Sequence, residues 1–173
     1  MDWYDSVFEL IDLRSFSNLW YWIALAVVWS SASHYVLGVP YDLVLRAKRK
    51  GGQAALDLED LVRININRLL YIGEVSGLWL FGLGFFILTS LALLGFVYYL
   101  EFAQALLLIL FPMSILGLMS ISTARLIRET VEDLDQLYAR LLRHRFWTQV
   151  LGIVSIFVTA MWGMYQNVNL GSL

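Results

Sequence analysis

Two ionisable side chains fall where an apolar environment would make them informative: His34, in Ser30-Ser31-Ala32-Ser33-His34-Tyr35, and Glu74, at the start of a long apolar run. Removing such groups from water is costly, so they are candidates for a proton or polar site. An imidazole beside a carboxylate can titrate near neutrality and relay or sense protons. The same two groups also suit a static interhelical hydrogen bond, and Glu74 can reach the headgroup layer. The structural reading is the preferred one.

Little else converges. Glu101 and Gln104 fall at a turn between two apolar runs, and Thr148, Gln149, Gln166, Asn167 and Asn169 fall near the ends of the last run, where water is within reach. The other histidine, His144, stands in a basic segment, and there is no cysteine. Thiol nucleophiles, disulfides and thiolate ligands are therefore excluded. Two histidines so placed form neither a haem-ligating pair nor a multi-histidine metal site. Gly82 and Gly84 complete no GxGxxG and follow no strand, so no phosphate loop is expected. These residues predict no enzyme, no cofactor and no metal.

The elements that would position these residues follow from composition. Of 173 residues, 60% are hydrophobic and 15% charged, against roughly 45–50% and 25% in a soluble domain. A small globule cannot hide that much apolar surface, so lipid must cover most of it. Crossing about 30 Å of hydrocarbon takes about 20 apolar residues, and four runs qualify: 18–38, 73–99, 102–121 and 146–166. The second and third are too long together for one crossing, so the chain must reverse near Leu100–Glu101 without help from glycine or proline. Trp20, Tyr21 and Trp22, Tyr98 and Tyr99, and Phe146 and Trp147 mark the run ends, as aromatic belts do. The expected fold is an all-α integral membrane protein, a four-helix bundle in a single membrane domain.

Eleven of the twelve basic residues follow the first and third runs. Arg46, Lys48, Arg49, Lys50, Arg63 and Arg68 lie in 39–72, and Arg125, Arg128, Arg140, Arg143 and Arg145 lie in 122–145. Basic loops stay in the cytoplasm, which would place both termini in the periplasm. Arg46, Lys48, Arg49, Lys50, Arg140, Arg143 and Arg145 are read as topology and anionic-headgroup contacts rather than a nucleic-acid surface, in keeping with a net charge of −2. The start is acidic and its first apolar run long, which argues against a signal peptide. Residues 1–17 carry apolar side chains at helical spacing, predicting a helix on the outer surface, and Ser15 or Ser17 would cap the helix that follows.

Both loops read as helical extensions. Past the Gly51-Gly52 break, Gln53–Ile72 has helical periodicity with no proline before the second run. Ile127, Val131, Leu134, Tyr138 and Leu141 advance by 4, 3, 4 and 3, the spacing of a coiled-coil seam. That seam either packs against Gln53–Ile72 or docks a partner, with internal packing preferred. Ala26 and Ser30, Gly73 and Gly77, and Ser114, Gly117 and Ser120 are expected to let helices approach closely. Pro112 should kink its helix and free the Leu108 carbonyl.

The stretches Met1-Asp2-Trp3-Tyr4, Phe8-Glu9-Leu10-Ile11-Asp12, Arg14–Trp22 and Ser33–Asp42 resemble a small alphaproteobacterial, Rhodobacter-like, family of membrane proteins. Its members are sometimes labelled a component of the Suf iron–sulfur assembly complex. The resemblance covers about the first quarter of the chain. It implies a bacterial inner membrane and brings no catalytic motif, and a chain without cysteine gives cluster assembly no support. The resulting expectation is a non-enzymatic accessory, scaffold or assembly subunit that binds lipid and packs with itself or a larger membrane complex. The alternative is an oligomeric ion or proton channel, small transporter or membrane sensor.

Overall fold

Asn18 opens the first helix, its side chain accepting the Trp20 N–H at 2.9 Å, so neither Ser15 nor Ser17 is the cap. Those serines belong instead to a 3₁₀ turn, Ser15–Ser17, that buries Ser15 and Phe16. The computed structural model describes residues 15–170; the surface helix expected over 1–17 falls, up to residue 14, outside them. Five α-helices follow: α1 (Leu19–His34), α2 (Tyr41–Lys50), α3 (Gly52–Phe96), α4 (Glu101–Thr130) and α5 (Leu134–Leu170). Between α1 and α2 lies a two-residue antiparallel pair, β1 (Tyr35–Val36) and β2 (Val39–Pro40).

The described residues are all-helical apart from that pair and the turns, and α3, α4 and α5 are long and apolar enough to cross a membrane. The first run departs from expectation. It is helical only to His34, and its 16 residues reach about 24 Å at 1.5 Å each. Helix stops because Leu37 and Gly38 take positive φ, +52° and +78°, the backbone of a tight hairpin turn. Leu37 adopts this region at a steric cost that its burial, with Val36 and Val39, offsets.

The Gly51-Gly52 break is as expected, both residues having positive φ. From there α3 runs unbroken for 45 residues, joining the first connection to the second apolar run. The reversal after α3 is built without glycine: Tyr99 takes φ +58°, while the Tyr98 and Leu100 N–H groups donate to the Leu93 and Leu94 carbonyls. Helix α4 does not continue into α5. The chain leaves helix at Val131, and Asp133 restarts it by accepting the Gln136 N–H at 2.8 Å.

Two cores result. At the charged end, Val36, Val39 and Val44 meet Leu58, Val62 and Ile66 of α3 together with Ala124, Ile127 and Leu141. Further along, Leu25 and Trp29 of α1 meet Leu116 of α4. The 4-3-4-3 seam belongs to the first core: Ile127, Tyr138 and Leu141 are buried in it, with Val131 and Leu134 packed against its edge. Its docking reading is therefore corrected. The seam bends across the α4–α5 break, and the chain's own helices cover it.

Candidate functional site

His34 and Glu74 are not joined by a hydrogen bond or ion pair among the described residues. His34 ends α1 exposed, its ring edge-on to Tyr35 at 5.0 Å. Glu74 instead meets the Arg128 guanidinium at 3.6 Å, linking α3 to α4 with both side chains half in solvent. The buried histidine is the other one. His144 is 5% exposed, with Thr123 Oγ1 3.2 Å from Nδ1 and Ser120 Oγ 3.4 Å from Nε2. It precedes the apolar run that starts at Phe146, and burial holds its pKa below the usual histidine value. Its spacing from Leu137, Tyr138, Leu141 and Thr148 marks one helix face, the signal that could have placed it inside.

The small residues expected to pack helices mostly do not. Ala26, Ser30 and Ser114 are exposed, and a Cβ added at Gly73, Gly77 or Gly117 would meet nothing within 4 Å. Ser114 Oγ donates to its own helix at the Leu110 carbonyl, 2.8 Å away, and Ser120 lies half-buried beside His144. These glycines border an open groove along the α3–α4 seam rather than a contact. Close approach occurs elsewhere: a Cβ at Gly95 would lie 2.9 Å from Gln104 Cγ, at Gly152 2.9 Å from Trp29 Cε3, and at Gly163 3.3 Å from Phe16. Thr148, Gly152, Ser155, Thr159 and Gly163, advancing by 4, 3, 4 and 4, form a buried small stripe on α5. That spacing is present in the sequence and marks the face of α5 that packs.

Pro112 sits inside α4, buried, in the wall of a 640 Å³ apolar cavity shared with Phe85, Leu108, Phe111 and Ser155. It removes the N–H that would have bonded Leu108. Ser155 is also buried, its hydroxyl without a partner among the described residues.

At the opposite end from the charged core, a polar clamp replaces the solvated turn expected of Glu101 and Gln104. Gln104 is 2% exposed. Its Nε2 donates to the Gly95 carbonyl at 2.7 Å, and its Oε1 accepts from Trp162 Nε1 at 3.0 Å and from Gln166 Nε2. One side chain thus ties the end of α3 and the start of α4 to α5. Beside it, Glu101 Oε1 accepts the Phe16 N–H at 2.7 Å, Ser17 Oγ donates to Asn167 Oδ1 at 2.7 Å, and Tyr21 donates to the Ala105 carbonyl. The 3₁₀ turn and α1 are fastened to the bundle here.

The basic residues divide. Arg46, Lys48, Arg49, Lys50 and Arg143 are exposed, and Arg140 is half-buried. Arg145 is occupied within the fold: its guanidinium lies 3.5 Å over the Tyr41 ring and Nε donates to the Ser33 carbonyl. This cation–π contact gives it a packing role that a headgroup reading omits. No three His, Asp or Glu side chains converge on a metal-sized site among the described residues. What the arrangement offers is surface and attachment: a long apolar helix fastened near its ends, with much of its middle uncovered. Comparison with protein-family models, curated proteins and solved structures finds no match to this chain.

Proposed function

We propose that the chain is a non-enzymatic accessory or scaffold subunit of a bacterial inner membrane, crossing it four times and packing with itself or a larger membrane complex. The observation that carries this reading is the bareness of α3. The most apolar eighteen-residue stretch of that helix has no buried residue, whereas the corresponding stretches of α4 and α5 are 17% and 28% buried. Trp79 is 82% exposed, and Leu78, Leu83 and Phe86 stand out beside it. Exposed Ala26 and Ser30 offer a second place where another helix backbone can come close.

In this reading α1, extended by the 3₁₀ turn and the hairpin, is the fourth crossing, and the bilayer adapts to its shortness by local thinning. The apolar core at the charged end lies with α2 on the cytoplasmic side, and the Gln104 clamp lies on the periplasmic side, near the 3₁₀ turn and the end of α5. The resemblance noted above supports the bacterial inner membrane. Separation of His34 from Glu74 leaves the proton-linked alternative without its pair.

Extraction in mild detergent followed by affinity purification and mass spectrometry tests the assignment. A stoichiometric partner, or a second copy, is the expected result; a lone monomer across several mild detergents would contradict it. Impermeant thiol labelling of Lys48→Cys and Tyr98→Cys in sealed cells checks the topology. Labelling is expected at 98 and not at 48, and the reverse pattern would invert the assignment.

A further inference from the structure

Two hollows meet along the α3–α4 seam. The first, of 490 Å³, opens at the charged end, where β1 and its turn, α3, α4 and His144 enclose it. Its polar lining includes Arg68, Asn65, Ser120 and His144. The second, of 340 Å³, continues into the apolar half of both helices. Leu69, Ile72, Gly117 and Ile121 line both, so the two adjoin, a hollow with polar groups at its rim beside an apolar groove.

The mouth carries an uncompensated positive charge. Arg68 is exposed and has no carboxylate within ion-pair distance among the described residues, whereas Arg63 and Arg128 pair with Asp60 and Glu74. Asn65 stands beside the hairpin turn, where a Cβ on Gly38 would be in ordinary contact with its amide group, 3.4 Å away. The turn favours glycine for its backbone, at φ +78°. Below the mouth, Gly73, Gly77, Gly84 and Gly117 line the groove without filling it.

Size and depth identify an occupant. Gly73 and Gly84 are eleven positions apart, about 16 Å of helix at 1.5 Å per residue. One leaflet's hydrocarbon is about 15 Å deep. Arg68, five positions before Gly73, then falls about 8 Å outside the hydrocarbon, at headgroup depth. A cation at the mouth, an amide donor beside it and an apolar trough one leaflet long match a phosphate joined to an acyl chain.

We propose that the two adjoining hollows together form a channel that is a specific site for one anionic phospholipid, its phosphate against Arg68 and Asn65 and one acyl chain in the trough lined by Gly77 and Gly117. The site rests on the membrane placement of the chain and is independent of what covers the outer face of α3. The glycines expected to pack helices are, in this role, the space that the lipid tail fills.

The test reconstitutes the full chain in vesicles of equal parts phosphatidylglycerol and phosphatidylcholine with matched acyl chains, then counts retained lipids by native mass spectrometry. The wild-type chain should retain one phospholipid, with phosphatidylglycerol favoured about fivefold, the worth of one basic residue meeting an anionic headgroup. Arg68→Gln, at an exposed position, should bring the preference close to one. Arg49→Gln, outside the channel, should leave it unchanged. Gly117→Leu, where added side-chain atoms enter open space, should abolish retention of both lipids while the helical circular dichroism persists. Equal retention of both lipids by the wild type, or an undiminished preference in Arg68→Gln, would overturn the site. Resistance to alkaline extraction on the same preparation separates the two levels of the claim. A resistant chain holding no lipid refutes the site alone, and an extractable chain refutes the membrane placement and the site together.

Discussion

At the residue scale, Gln104 ties three helices together. Its amide serves three partners on α3 and α5 from a position almost without solvent. Gln104→Leu keeps the volume and strands the Gly95 carbonyl, the Trp162 indole N–H and the Gln166 amide. Unsatisfied buried groups and measured interhelical bonds in membranes together put the loss at about 2 kcal/mol, to be read from unfolding in detergent. An unchanged midpoint would show that water reaches the clamp. His144 gives a pH prediction with a definite sign. Burial lowers its pKa in the fold, so the neutral ring is the stable form and its contribution is present above the unfolded value of about 6.5. That contribution is lost as pH falls through the lower folded value. Stability should drop on acidification below about pH 6.5, and His144→Asn should flatten that part of the profile; a parallel profile in the variant would remove His144 as its source.

At the scale of elements, the helices come closest where a glycine meets an aromatic ring or a long side chain, at Gly95, Gly152 and Gly163. Gly152→Ala drives a methyl group against the Trp29 ring and should destabilise the chain by about 1–3 kcal/mol. Gly77→Ala meets open space and should change stability by no more than about 0.5 kcal/mol. Equal effects in thermal unfolding would contradict the packing described. Much of the element order was legible in the sequence. The apolar runs, the Gly51-Gly52 break and the unbroken passage from Gln53 into the second run follow from hydropathy and helical period. Other features depend on what faces what. A spacing rule finds Gly73-x-x-x-Gly77, yet those positions border a groove, while the wider stripe from Thr148 to Gly163 takes α1. The hairpin at Tyr35–Pro40 was hidden because Val36, Leu37 and Val39 are as apolar as the helix before them. The sequence neighbourhood of Gln104 is a turn and points to water, whereas α3 and α5 close over it.

At the scale of the molecule, the chain holds itself together at two ends and leaves the middle of its longest helix uncovered. The apolar core at the charged end ties α2 and the start of α3 to α4 and α5, and the Gln104 clamp ties the end of α3 to the same pair. Between them, few of α3's bulky apolar side chains contribute to a core. Lipid alone can cover such a face, because packing rather than water exclusion drives helix association in a bilayer. The proposed role requires that protein cover it instead. Site-specific photo-crosslinking in native membranes distinguishes the two, with a photoreactive residue at Trp79 and, as control, at Leu58 in the closed core. The account predicts a protein adduct of discrete mass from position 79 and none beyond the chain itself from position 58. Lipid adducts alone from position 79 would contradict it.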